Sequence, residues 1–171
     1  GGTGNETDGY ITGGAPELSS FDKITYSTDT TASVPSGGDL SVGRKGVTAV
    51  SPRSHDYTGA PSSPAFRYID NSPPTDNNGF FGGGSPGPKS TMDKLDYSTT
   101  TTANAPGANL TIARYGLGAT SSLSGGYFSG GNPGSKTEVE KLTYSTTSIA
   151  RIPSADFPAG RFEIASVGNR N

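Results

Sequence analysis

The chain has no cysteine and no tryptophan, and its one methionine and one histidine stand alone. Without cysteine there are no disulfides, no thiolate metal sites and no cysteine nucleophile, whatever the compartment. No apolar run approaches the roughly 18 residues that a membrane helix needs, so membrane insertion is not expected. Charge is sparse: 16% of residues carry it and the net is −2, which offers nothing to nucleic acid or an anionic membrane. The apolar fraction is only 29%, and adding the 26 glycines brings it close to an ordinary globular composition. Low apolar content can signal disorder. Here the apolar residues recur in register instead, and 171 residues suit a single domain. The first residue is Gly1, not Met, and no signal peptide is visible, so the expectation is a processed product or a piece of something longer.

What is present is a repeat. GYITGG at Gly9 to Gly14 is followed by FDKITYST at Phe21 to Thr28. GFFGGG at Gly79 to Gly84 is followed by MDKLDYST at Met92 to Thr99, and GYFSGG at Gly126 to Gly131 by VEKLTYST at Val139 to Thr146. After each tyrosine come a proline (Pro35, Pro106, Pro153), an apolar residue (Leu40, Leu110, Phe157) and an arginine (Arg44, Arg114, Arg161). The spacing Tyr97 to Tyr144 is 47 residues and Tyr26 to Tyr97 is 71, so 24 extra residues enter the first interval. Self-similarity of this kind marks stacked structural units. The units run 9–51, 79–121 and 126–171, with an insertion loop at 52–78.

Each unit reads as four short strands. The first follows the arginine, as in Tyr115 to Ser121. The second enters the glycines, the third is the KLxY segment, and the fourth ends at the proline, which has no N–H for a ladder. No segment has a helical period, so almost no helix is expected. Four strands every 45 to 50 residues fit a propeller blade. The glycine pairs Gly13–Gly14, Gly83–Gly84 and Gly130–Gly131 suit a crowded strand end and a turn with positive φ. Tyr26, Tyr97 and Tyr144 suit packing between blades. Arg44, Arg114 and Arg161 either join carbonyls of the adjacent blade or stand solvated in a turn. The pairs Asp22-Lys23, Asp93-Lys94 and Glu140-Lys141 read as strand-edge charges that discourage aggregation.

Arginine, apolar strand, aromatic run into Gly-Gly and then tyrosine resembles the kelch repeat, best from Arg114 through Pro153. The three units together cover nearly the whole chain. Kelch units usually carry a tryptophan shortly after the tyrosine. Here Ala32 and Ser33, Ala103 and Asn104, Ala150 and Arg151 fill those places. The GYFGGG…DYST flavour is similar to divergent kelch-like repeats in virion proteins of marine phages and in surface proteins of aquatic bacteria. The resemblance implies an all-β fold of four-stranded antiparallel blades.

Three blades fall short of the four to eight of closed propellers. The pattern opens at strand two (Tyr10 to Thr12) and ends on strand one (Phe162 to Val167). That last strand completes the first blade of the same chain, or completes a second copy's first blade in a six-blade ring or open fibre, or continues into flanking repeats of a longer protein.

Candidate sites break the repeat. The insertion holds Arg53, His55, Tyr57, Phe66, Arg67 and Tyr68, a mix that suits a cell-surface glycan or protein partner, or else covers a blade as a flap. The oxygen-rich Asp70, Asn71, Asp76, Asn77 and Asn78 lack calcium-loop spacing and read as turn chemistry. A lone His55 without a G-x-S-x-G elbow assigns no catalysis. GGGSPG at Gly82 to Gly87 lacks the Lys-Ser/Thr of a phosphate loop. Asn5-Glu6-Thr7 and Asn109-Leu110-Thr111 match the N-glycosylation pattern. No catalytic residue, cofactor or metal is assigned. The expected role is a non-enzymatic structural and recognition module of an extracellular or virion appendage. The alternatives are a bacterial filament or adhesin subunit joined by terminal strand exchange and, further off, a propeller enzyme acting on glycans.

Overall fold

A computed structural model of the chain describes residues 1–5, 7–52, 77–122 and 124–166. Its strands form three four-stranded antiparallel sheets, each a meander in which sequence neighbours pair. Blade 1 comprises β1 (Gly2–Gly4), β2 (Asp8–Thr12), β3 (Phe21–Thr25) and β4 (Thr30–Ser33). Blade 2 comprises β5 (Thr48–Val50), β6 (Asn78–Gly82), β7 (Met92–Asp96) and β8 (Thr101–Asn104). Blade 3 comprises β9 (Gly118–Ser121), β10 (Gly125–Ser129), β11 (Val139–Thr143) and β12 (Ser148–Arg151). Among the described residues there is no α-helix, only short 3-10 turns, two of which open on Pro106 and Pro153. The first strands of neighbouring blades lie side by side, β1 against β5 and β5 against β9.

The apolar pair of each unit, Tyr10-Ile11, Phe80-Phe81 and Tyr127-Phe128, explains the stacking. Successive strand residues point to opposite faces, so a blade covered on both sides needs two apolar neighbours in a row. In the middle blade both are buried. Phe81 meets Phe21 of blade 1 edge-on, with ring centroids 4.9 Å apart. Phe80 stacks on Tyr144 of blade 3 at 5.8 Å. Two cores result, one at each junction. Phe21, Leu40, Val47, Phe81 and Leu95 lie between blades 1 and 2. Met92, Leu110, Leu117, Phe128 and Leu142 lie between blades 2 and 3. These are the same repeat positions, used twice.

Local turns repeat as well. The β3–β4, β7–β8 and β11–β12 reversals each place a left-handed residue at the same point, Asp29, Thr100 and Thr147. A cis proline follows each glycine pair, at Pro16, Pro86 and Pro133.

One strand assignment is corrected. The chain opens on strand one, because Gly2–Gly4 pairs with β2 in the register Gly2 to Ile11 and Gly4 to Gly9. Residues 161–166 belong to no strand. Among the described residues the expected permutation by one strand is therefore absent, and Val167 lies outside them. Two glycines flanking a threonine give no β-branched alternation to read, while the backbone groups of β2 still need partners and accept the nearest extended segment.

Candidate functional site: two open blade faces

The recurrent arginine is a clamp across the blade junction. Arg44 lies on the link from blade 1 to blade 2 and is fully buried. Its Nη1 donates to the carbonyls of Gly83 at 3.0 Å and Thr91 at 2.7 Å, and its Nη2 pairs with the Asp93 carboxylate. Arg114 does the same one blade on. It donates to the carbonyls of Gly130 and Glu138, both at 3.0 Å, and pairs with Glu140. Asp93 also accepts the Ser41 N–H, and Glu140 accepts the N–H and hydroxyl of Thr111. A planar guanidinium suits this fork of two carbonyls and a carboxylate. Burial lowers the Arg44 pKa, with Asp93 opposing. Asp93 and Glu140 are fully buried on inner strands. They are not strand-edge charges; they are the clamp's acceptors, a role that the adjacent exposed-type lysine concealed.

The glycine pairs make room for the same link. Gly13, Gly83 and Gly130 have φ of 71°, 71° and 64°. A Cβ on Gly83 would lie 2.7 Å from the Arg114 carbonyl oxygen. The next glycine donates to that oxygen: Gly84 to Arg114 at 2.9 Å and Gly131 to Arg161 at 2.7 Å.

The tyrosines lock the other side of each junction. Tyr97 stacks on Tyr10 at 5.2 Å, and its hydroxyl lies 2.8 Å from the Thr3 hydroxyl. Burial pushes its pKa up to about 12. Tyr144 stacks on Phe80 as described.

Among the described residues the third set of these partners meets no neighbouring blade. Arg161 is exposed, its guanidinium 5.6 Å from the Phe157 ring. Tyr26 is 49% exposed, against 7% for Tyr97 and 3% for Tyr144. Ile11, which stands where Phe81 and Phe128 stand, is 49% exposed. Asp22, which stands where Asp93 and Glu140 stand, is exposed and accepts the Ser33 hydroxyl at 3.2 Å. Around Gly14 the nearest atom to a Cβ is Leu18 at 3.9 Å. At Gly84 and Gly131 the preceding link's carbonyl lies at 3.0 Å. Blade 1 thus presents an acceptor face and blade 3 a donor face.

Arg53, His55, Tyr57, Phe66, Arg67 and Tyr68 lie outside the described residues, as do Asp70, Asn71 and Asp76. The chain leaves the sheet at Val50 and re-enters at Asn78, between two paired strands. Asn5 is half-buried and turns the β1–β2 hairpin, its Oδ1 accepting the N–H groups of Thr7 and Asp8. Asn109 Oδ1 accepts the Met92 N–H at 2.9 Å, and Asp156 does the same for Val139 at 3.0 Å. Among the described residues no cluster of three or more His, Asp or Glu side chains is placed to hold a metal ion.

No protein-family model matches the chain, and no curated protein matches it. Solved structures do. YjhT, a kelch-like propeller protein, superposes with a TM-score of 0.62 at 11% identity. The match covers 93% of this chain and 52% of YjhT, so the chain spans about half the length of that structure. The chain is all-β and its three four-stranded antiparallel sheets are propeller-like blades.

Proposed function

We propose that the chain is a non-enzymatic structural and recognition module. It assembles with copies of itself through blade faces and carries residues 52–78 on one rim as the element that meets a surface partner, a glycan or a protein. The setting this reading fits is an extracellular or virion appendage. The observation that carries it is the pair of open faces. Each apolar, arginine and acid position paired at both junctions inside the chain has a third copy left at its two ends. Exposed apolar and charged residues in such complementary sets mark an interaction surface. The rim assignment rests on connectivity: the insertion joins β5 to β6 where the other blades use short β1–β2 and β9–β10 hairpins.

Light scattering across a wide concentration range tests assembly, and a stable monomer throughout would sink it. Deleting residues 52–76 tests recognition. The shortened chain should keep its β-sheet circular dichroism and lose binding to cells or a glycan array. Retained binding would remove the insertion from the reading.

A further inference from the structure

Eight apolar positions build each blade junction, and the third set is complete. Blade 3 supplies Tyr127, Val139, Ile152, Phe157 and Ile164, where blade 1 uses Tyr10, Phe21, Val34, Leu40 and Val47. Blade 1 supplies Ile11, Ile24 and Tyr26, where blade 2 uses Phe81, Leu95 and Tyr97. All eight are apolar or aromatic, yet only Val139 is buried. The polar partners match too. Among the described residues Arg161 has no such fork. Gly13 and Ser20 carry the carbonyls, and Asp22 the carboxylate, at the acceptor positions. The Ser20 carbonyl already receives the Thr12 hydroxyl at 2.8 Å, and a carbonyl oxygen has a second lone pair for the arginine. One donor is missing from the set: Pro158 stands where Ser41 and Thr111 offer an N–H.

We infer that a second copy of this chain seats its blade 1 on blade 3 of the first, clamping Arg161 of one copy on Asp22 of the other. Tyr127 then stacks on Tyr26, and Val139 packs on Ile11. The contact is head-to-tail, and two copies that make it at both ends close a ring of six blades. The partner is a second copy because the two faces carry the apolar, arginine and acid residues that build the junctions inside the chain. The chain also spans about half of a propeller neighbour. This rests on the assembly reading above and specifies its register.

That register has a consequence for β1. Inside the chain the link runs from Arg44 into the strand that begins at Thr48. The residues after Arg161 run in the same way toward strand one of the second copy, where Gly2–Gly4 already sits. Gly1 and Thr12 tie that segment to β2 by backbone bonds, but it places a single side chain, Thr3, on the blade. Residues 162–166 of the incoming copy therefore replace it when the faces meet, an exchange of one strand for another.

Two charge reversals test the pairing. Arg161→Asp and Asp22→Arg each alter an exposed side chain, so each variant should fold as the parent does. Each alone places like charges at the junction and should weaken association about 30-fold or more. An equimolar mixture of the two variants restores opposite charges at both contacts and should recover a one-to-one assembly in light scattering. Either variant assembling like the parent, or a mixture that stays dissociated, overturns the register while leaving self-assembly intact. A parent chain that stays monomeric overturns both. Removing residues 1–4 tests the exchange: association should hold or tighten, and its loss would refute the replacement of β1.

Discussion

Arg44 and Asp93 form an ion pair, both side chains 0% exposed, across the junction of blades 1 and 2. Two further carbonyls from blade 2 complete the arginine's fork. A buried pair of this kind is poor for net stability but severe to break, because the survivor keeps its charge without a partner. Arg44→Met should therefore cost about 3–5 kcal/mol. Arg44→Met with Asp93→Leu should recover most of that loss. Urea midpoints of the two singles and the double, taken as a cycle, read the coupling directly.

The reach of the sequence is clear at this pair. Triplication, strand order, the ends of the fourth strands and the blade architecture were all legible, because they rest on period, turn residues and proline. The partner of the arginine was not. Asp93 sits beside Lys94 in a strand, and an acid-lysine pair reads as solvated wherever burial is unknown. Three acids in register with three arginines were the available signal. The β1 strand was hidden for a different reason. Gly2–Gly4 has no side-chain pattern, and only the unfilled edge of β2 calls it into the sheet. The insertion is the reverse case, conspicuous in sequence, with its residues 53–76 outside the described residues.

Gly83 and Gly87 separate two effects that sequence alone merges. Both have positive φ, 71° and 64°. A Cβ at Gly87 meets nothing within 4 Å, whereas at Gly83 it meets Leu117 at 2.6 Å and the Arg114 carbonyl at 2.7 Å. Gly87→Ala should cost about 1–2 kcal/mol, the left-handed penalty alone. Gly83→Ala should add about 1–3 kcal/mol of overpacking to that. Equal midpoints for the two variants in thermal or urea melts would show that the link does not press on Gly83.

Alkaline pH should loosen the junction of blades 1 and 2. Burial pushes the Tyr97 hydroxyl up to about 12 in the fold, against an ordinary tyrosine value of 10.0. A raised value means the folded state favours the neutral phenol. Its contribution is whole below pH 10 and is lost as pH climbs from 10 toward 12. Two units correspond to roughly 2–3 kcal/mol. Stability measured in that window should fall less steeply in Tyr97→Phe, which has no proton to lose. The difference in tyrosinate absorbance between parent and Tyr97→Phe should show this group titrating toward pH 12.

Tyr26 and Tyr144 occupy one repeat position with opposite surroundings, 49% and 3% exposed. Tyr144 is stacked on Phe80 within a core, so Tyr144→Ala should cost about 3–5 kcal/mol in any state of assembly. Among the described residues no blade lies behind Tyr26. Tyr26→Ala should change the stability of dilute, dissociated chain by no more than about 0.5 kcal/mol, the usual range for surface substitutions. At concentrations where copies associate, the same substitution should become destabilising, because Tyr26 then takes the place that Tyr97 and Tyr144 hold. Melting temperatures of parent and variant, compared across a dilution series, carry the test. A Tyr26→Ala penalty that is large and independent of concentration would mean that the ring is already packed within one chain, and that blade 1 has no free face to offer.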